Sequence, residues 1–359
     1  MSTAALNKER NSSIELFRIL AMFLVVFVHM NGYFLIRGHG IPEDINGGGY
    51  KLFVNQHFMS DSLIHEYIQS LCRVCVNCFI IISGYYGIKL RAKSLWALLL
   101  TVICVDVPFA VVMYLLHPSL ENIQNIFLGF FGLTGHGYFI QCYVMLMFLS
   151  PVLNSFIEKY GCKILKYVIV FVFIEGYICL FRDDEIGIEN GYRIIHFVLL
   201  YLLARCLYLY KDELSKISNW WYLLIYFGGA ALMTFLYQIG FTKIGSYSNP
   251  LCIVMAVGLF IPFTKKVFHN KFINWIAAGT FTVYLINTRM PGSGLYLKLD
   301  NYLFDNFSLL QFYILAVAVV VVLFLLSVVY DKAAKYITKP INNAVCKYID
   351  KTFTENILD

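Results

Sequence analysis

Charge is scarce in this sequence: 14% of its 359 residues are Asp, Glu, Lys or Arg, against about 25% in a soluble domain. With 59% hydrophobic residues and a mean hydropathy of +0.68, that scarcity excludes a water-soluble fold. Also missing are the loop-paired cysteines of a disulfide framework, since all ten cysteines lie in or beside apolar segments. Cys72, Cys75 and Cys78 follow a C-x2-C-x2-C spacing inside an apolar run. They lack the fourth ligand of a cluster site and read as packing residues, and no metal site is assigned. Gly47, Gly48 and Gly49 are not followed by Gly-Lys-Ser/Thr, so a phosphate-binding loop is excluded. No internal repeat, low-complexity segment or small-residue cleavage site stands out. The net charge of +6 sits in short clusters between apolar runs rather than on one basic face, which argues against nucleic acid as a partner.

What is present are apolar runs of bilayer length, and crossing a hydrocarbon core of about 30 Å takes about 20 helical residues. Backbone groups in lipid must be satisfied within each segment, and the alternation of a membrane barrel is absent. The expected fold is an all-α integral membrane bundle of about ten transmembrane helices, at 14-36, 63-88, 93-117, 137-157, 163-181, 192-210, 219-239, 250-267, 272-291 and 307-330. The semi-apolar stretch 119-136 is expected along the outer interface. Three regions follow: an N-terminal segment 1-13, the membrane domain 14-330 and a basic tail 331-359.

An even number of spans puts both termini on one side, and cations choose it. A cytoplasmic N-terminus leaves Lys89, Arg91, Lys93, Lys159, Lys163, Lys166, Lys211, Lys216, Lys265, Lys266 and Lys271 inside, with Lys332, Lys335, Lys339, Lys347 and Lys351 of the tail. The opposite loops hold only scattered cations, among them Arg37, Lys51, Arg193, Lys243 and Arg289.

An ionisable group within a span costs about 2.5–3.5 kcal/mol on insertion scales, so each needs a partner, a wet cavity or a task. The first span carries Glu15, Arg18 and His29. Eleven residues are about three helical turns, so Arg18 and His29 share a face about 16 Å apart along the axis, and Glu15 joins it three residues before Arg18. Arg73, in the second span, is expected at about the depth of His29. Asp106, Glu175 and Arg205 read as structural ion-pairing residues whose partners the spacing does not choose. His136 and Asn287 fall towards the outer ends of their spans. Taken singly, His29 reads as a core histidine and Arg18 as a snorkelling cation; taken together they suit acyl transfer. A histidine takes the hydroxyl proton, Arg18 meets an anionic donor, and Arg73 stabilises developing charge. The same stripe also suits a substrate path in a transporter or flippase.

The first span is similar to the signature of the acyltransferase-3 family, an arginine followed after ten residues by a histidine, met here by Arg18 and His29 with Glu15 before them. RVCVNCFIIISGYYG resembles that family's second-span motif at Arg73, Val76, Phe79, Ser83, Gly84 and Tyr85. GHGYFIQCYVMLMFLSPVLN resembles its fourth-span segment, with His136 on the motif's histidine and Tyr138 in place of its tryptophan. TVYLIN ends in Asn287 where many members have histidine. The resemblance runs from residue 12 to about residue 330. It implies an O-acetyltransferase, of the class transferring groups other than amino-acyl groups, in a bacterial inner (plasma) membrane. Acetyl-CoA is the implied donor, no cofactor is permanently bound, and a carbohydrate, free or lipid-linked, is the acceptor. Catalysis is expected at His29, Arg18 and Arg73, and substrate binding at Glu15, His136, Tyr138, Asn287 and Ser83.

Overall fold

A computed structural model describes residues 10–37, 59–131, 137–181, 188–289 and 295–352. Among these residues the chain is helical throughout its regular structure and contains no strand. Seven stretches are long and apolar enough to cross a membrane.

The first helix, α1 (Ser12–Arg37), is followed by α2 (Met59–Cys72) and α3 (Cys75–Tyr86), which together form the second apolar run. The interruption falls at Arg73 and Val74. There the Arg73 carbonyl accepts from the Cys252 thiol at 3.6 Å instead of from its own helix, and the guanidinium donates to the Gly245 carbonyl at 3.0 Å. A polar side chain has loosened the ladder, a recognised cause of a helix break.

Next come α4 (Ala92–Leu116) and the short α5 (Leu120–Gly129), capped by Ser119, whose hydroxyl accepts from the Asn122 amide at 3.1 Å. Helices α6 (Gly137–Tyr160) and α7 (Leu165–Phe181) are joined by one 3-10 turn, and α8 (Ile194–Leu209), α9 (Lys211–Lys216) and α10 (Asn219–Gln238) follow. After the 3-10 turn Thr242–Gly245 comes α11 (Pro250–Thr264). The ninth expected run is two helices, α12 (Lys271–Ala277) and α13 (Thr280–Arg289), separated where Gly279 lies against Val328. Then come α14 (Leu295–Asn306), α15 (Leu309–Ile337) and α16 (Lys339–Thr352). Helix α15 therefore runs seven residues past the sequence boundary at 330, and the described part of the tail is itself helical.

Burial sorts these helices. In the most apolar stretch of each helix, 67% of α1 is buried, against 22% of α4. Helix α1 is the axial element, packed by α2, α3 and α11 to α15. Helices α4, α6, α7, α10 and α15 turn residues such as Val112, Phe148, Phe171, Phe235 and Leu326 outward, as suits lipid contact. The lower end of α1 is pinned. The Ser12 hydroxyl donates to Asn274 Oδ1 at 2.8 Å and accepts from the Asn270 amide at 2.7 Å, while Ser13 donates to the Phe263 carbonyl at 2.7 Å. Phe17 sits between Phe260 and Phe263, 5.2 and 5.1 Å away. The register of α1 is thus fixed from its first turn, which settles where Arg18 and His29 stand.

Gly84 shows why the second motif needs a small residue. A Cβ there would meet Ala204 Cβ at 2.7 Å and the Tyr201 carbonyl at 2.8 Å, since α3 and α8 pack backbone to backbone. Neither neighbour is a flexible tip. Gly84→Ala is expected to lower stability by about 1–3 kcal/mol, read as a lower thermal midpoint in detergent; an unchanged midpoint would show that the two helices slide apart freely.

Candidate functional site

Near the N-terminal end of α1, Arg18 Nη1 donates to both Glu15 oxygens, at 3.1 and 3.0 Å. Glu15 is buried and Arg18 one-third exposed. One nitrogen is therefore held while the rest of the guanidinium stays open for an anion, the role in which arginine's rigid fork is strongest. Helix α1 continues unbroken to His29, so the rise of about 16 Å between the two residues stands.

His29 is partly buried. Its Nδ1 lies 2.7 Å from Nδ2 of Asn287, which is itself buried on α13. The contact ties α1 to α13 across 258 residues. No other hydrogen bond to His29 is made by the described residues, so Nε2 is available. Beside His29, between Val28 and Asn31 of the same helix, lies a polar network absent from the sequence reading. Asn31 Nδ2 donates to Gln69 Oε1 at 2.8 Å, Gln69 Nε2 donates to the Val28 carbonyl at 3.2 Å, and the Tyr313 hydroxyl reaches both Asn31 Oδ1, at 3.2 Å, and His65 Nδ1. The signal that finds it is the four-residue spacing of His65 and Gln69, which puts a polar stripe on α2 that Arg73 continues at the break.

The expected depth of Arg73 is corrected by the structure. Gln69 stands level with Val28, so Arg73 lies one turn further inward than His29. Its guanidinium is turned to Gly245 and makes no hydrogen bond to His29. A Cβ on Gly245 would come within 2.5 Å of Arg73 Nε. Here Arg73 anchors the kink and the Thr242–Gly245 turn. Ser83 donates to its own helix at Phe79 O, 2.9 Å, and lies 3.3 Å from the Tyr143 hydroxyl.

Tyr138 packs edge-on against Tyr192, with ring centroids 4.4 Å apart. His136 lies outside the described residues. Beside Tyr138, Phe139 links Phe79, Phe197 and Tyr284 at 5.3–6.3 Å and stacks on Tyr143. Tyr284 is one turn from Asn287, so this aromatic wall runs from α13 through α6 to α3 and α8. Of the expected site residues, the structure joins Glu15 to Arg18 and His29 to Asn287. Ser83 and Tyr138 belong to the wall, and Arg73 faces elsewhere.

The intramembrane acids also find partners. Asp106 pairs with Arg289 at 3.1 Å, moving that arginine from the outer loop of the sequence reading into contact between α4 and α13. Glu175 Oε2 meets His196 Nδ1 at 3.0 Å, and His196 Nε2 meets Asn77 Oδ1 at 3.0 Å. Asn77 Nδ2 donates to the Tyr247 carbonyl at 2.9 Å, which fixes the amide with its oxygen towards the ring. His196 thus donates from Nε2 to Asn77 and shares a hydrogen at Nδ1 with Glu175. Arg205 donates to the Tyr85 carbonyl at 3.2 Å and lies over the Tyr208 ring.

What the α1 stripe can do is bind an anion at one level and move a proton at another. No curated protein and no solved structure matches the chain. A family model described as an acyltransferase domain matches residues 11–329, from the first turn of α1 to the inner part of α15, and the chain belongs to the acyltransferase-3 family.

Proposed function

We propose that this acyltransferase is an O-acetyltransferase of a bacterial inner membrane, with ten spans and both termini cytoplasmic, moving acetyl from acetyl-CoA to a carbohydrate hydroxyl. The observation carrying the reading is the His29–Asn287 contact on the same helix, and three turns outward of, the Glu15–Arg18 pair. Acetyl-CoA approaches from the lysine-rich face. The open side of Arg18 binds its anionic part, and the thioester reaches the level of His29. The sugar enters from the opposite face past the network of Asn31, Gln69 and Tyr313.

The acceptor oxygen attacks the thioester carbonyl carbon while its proton passes to His29 Nε2. The tetrahedral centre collapses, the carbon–sulfur bond breaks, and the leaving thiolate takes the proton from the imidazolium, giving an acetyl ester and free coenzyme. For Nε2 to accept, Nδ1 must carry a proton and donate it, which requires the Asn287 amide to turn its oxygen to the position where the structure has Nδ2. The oxygen and nitrogen of an amide are assigned from the network around them, and catalysis requires the oxygen towards His29.

The test uses the whole protein in sealed vesicles of known orientation, with labelled acetyl-CoA supplied on the lysine-rich side and glycan acceptors on one side or the other. Label is expected on acceptors across the bilayer. Label only on acceptors beside the coenzyme would overturn the relay, and label on neither would overturn the acetyltransferase reading.

A further inference from the structure

Behind α13, on a face that His29 does not touch, the ends of α4, α15 and α16 enclose a cavity of about 280 Å³. Thr282 lines it, while Asn287, five residues on, points to His29; five residues turn a helix by about 140°. The cavity is therefore separate from the site above. Its floor is apolar, with Leu100, Cys104 and Val105, and its rim carries Lys335, Lys339 and Asn342. Asp331, 2% exposed, is compensated: it accepts from Thr282 at 2.7 Å and pairs with Lys335 at 2.8 Å and Lys332 at 3.4 Å. Lys339 has no carboxylate partner among the described residues, so the rim keeps a free positive charge.

Helix α16 is held beside this opening by Trp96 Nε1 donating to Asn342 Oδ1 at 3.0 Å and by Lys93 with Asp350 at 2.5 Å. Its residues Ile341 and Tyr348 stay 57% and 66% exposed, with Lys347 and Lys351 in the same helix. An amphipathic, lysine-bearing helix continuous with a membrane-facing helix lies in the interface, among headgroups.

We infer that the cavity between α4, α13, α15 and α16 binds one anionic phospholipid of the leaflet at the lysine-rich face. Its phosphate meets Lys339 at the rim, and its acyl chain starts along Leu100 and Val105. Basic pockets between membrane helices take anionic headgroups in this way. A volume of about 280 Å³ suits a lipid headgroup with the start of its acyl chain. The lipid would brace the back of the helix that carries Asn287, and its binding is independent of the acyl-transfer reading.

Native mass spectrometry of the full chain tests this, with phosphatidylglycerol or phosphatidylcholine added and glycerol phosphate as a competitor. One phosphatidylglycerol is expected to be retained, phosphatidylcholine not, and glycerol phosphate should fail to displace the lipid. Lys339→Gln should weaken retention by about fivefold. Thr101→Phe, which fills the cavity from a residue whose hydroxyl only bonds its own helix, should remove it. Lys216→Gln, an exposed lysine in another loop of that face, should leave it unchanged. Equal retention of phosphatidylcholine, parental retention in Lys339→Gln, or displacement by glycerol phosphate would overturn the proposal, the last by showing a site for free phosphate.

Discussion

His29→Ala is expected to remove acetyl transfer, by about 10²–10⁴-fold if His29 is the general base, while the protein still inserts and accumulates. The expectation of intact folding rests on His29 being partly exposed and bonded to a single side chain, so its loss breaks one hydrogen bond and opens no deep cavity. Arg18→Ala should act differently. Removing the guanidinium raises KM for acetyl-CoA, and Arg18→Lys restores part of the binding but not the fork geometry that holds Glu15 through one nitrogen. Asn287→Ala leaves the base in place but releases its orientation, so kcat falls less than in His29→Ala and KM for the coenzyme stays put. Initial rates at equal membrane abundance separate the three. Transfer unchanged in His29→Ala would mean that the α1 stripe is not the reaction centre, and the transporter reading of the same residues would then lead.

The parts of this site legible in the sequence are those that one helix determines by itself. Glu15 and Arg18 are three residues apart, so any helix there brings them together. The face shared with His29 follows from the same period. The parts that were not legible join different helices. His29 and Asn287 are 258 residues apart, and an apolar span carries little sign of which neighbour it will meet, because lipid and a second apolar helix are nearly equivalent solvents for it. Asp106 with Arg289, and Glu175 with His196, are long-range pairs of the same kind. The turn at Arg73 escaped for another reason. Hydropathy continues unbroken through Leu71 to Ile82, and the interruption comes from polar contacts to Gly245 and Cys252 that lie on distant segments. That one turn moves Arg73 away from the expected depth of His29 and onto the α10–α11 connection. At Gly279 the break is readable only through its close approach to Val328. The family motifs supplied what periodicity could not, singling out Asn287 as a departure from the motif's histidine, and the structure sets that residue against His29.

Glu175→Ala and His196→Ala are expected to be the most destabilising single substitutions among the intramembrane polar residues, by about 3–5 kcal/mol each. Glu175 is 1% and His196 0% exposed, so removing either partner strands a charged or polar group where no water replaces it. Glu175 Oε1 already lacks a hydrogen bond among the described residues, leaving the carboxylate with little beyond His196. Glu175→Gln, which keeps the shape and an acceptor oxygen, should cost less than Glu175→Ala. The informative variant is the double one. If the pair serves packing between α7, α8 and α3, Glu175→Leu with His196→Leu should recover most of the loss, because apolar residues of similar volume replace a buried ion pair at little net cost. What remains is the about 1–3 kcal/mol for the Asn77 oxygen left without its donor. Thermal midpoints in detergent give the coupling, and acetyl transfer by the double variant gives its meaning. A stable double variant that still transfers acetyl places this network outside the chemistry, as its seat on α7 and α8 away from His29 implies. A stable but inactive one would instead make Glu175 and His196 part of the reaction path, and single variants that melt like the parent would show that the pair does not hold these helices together.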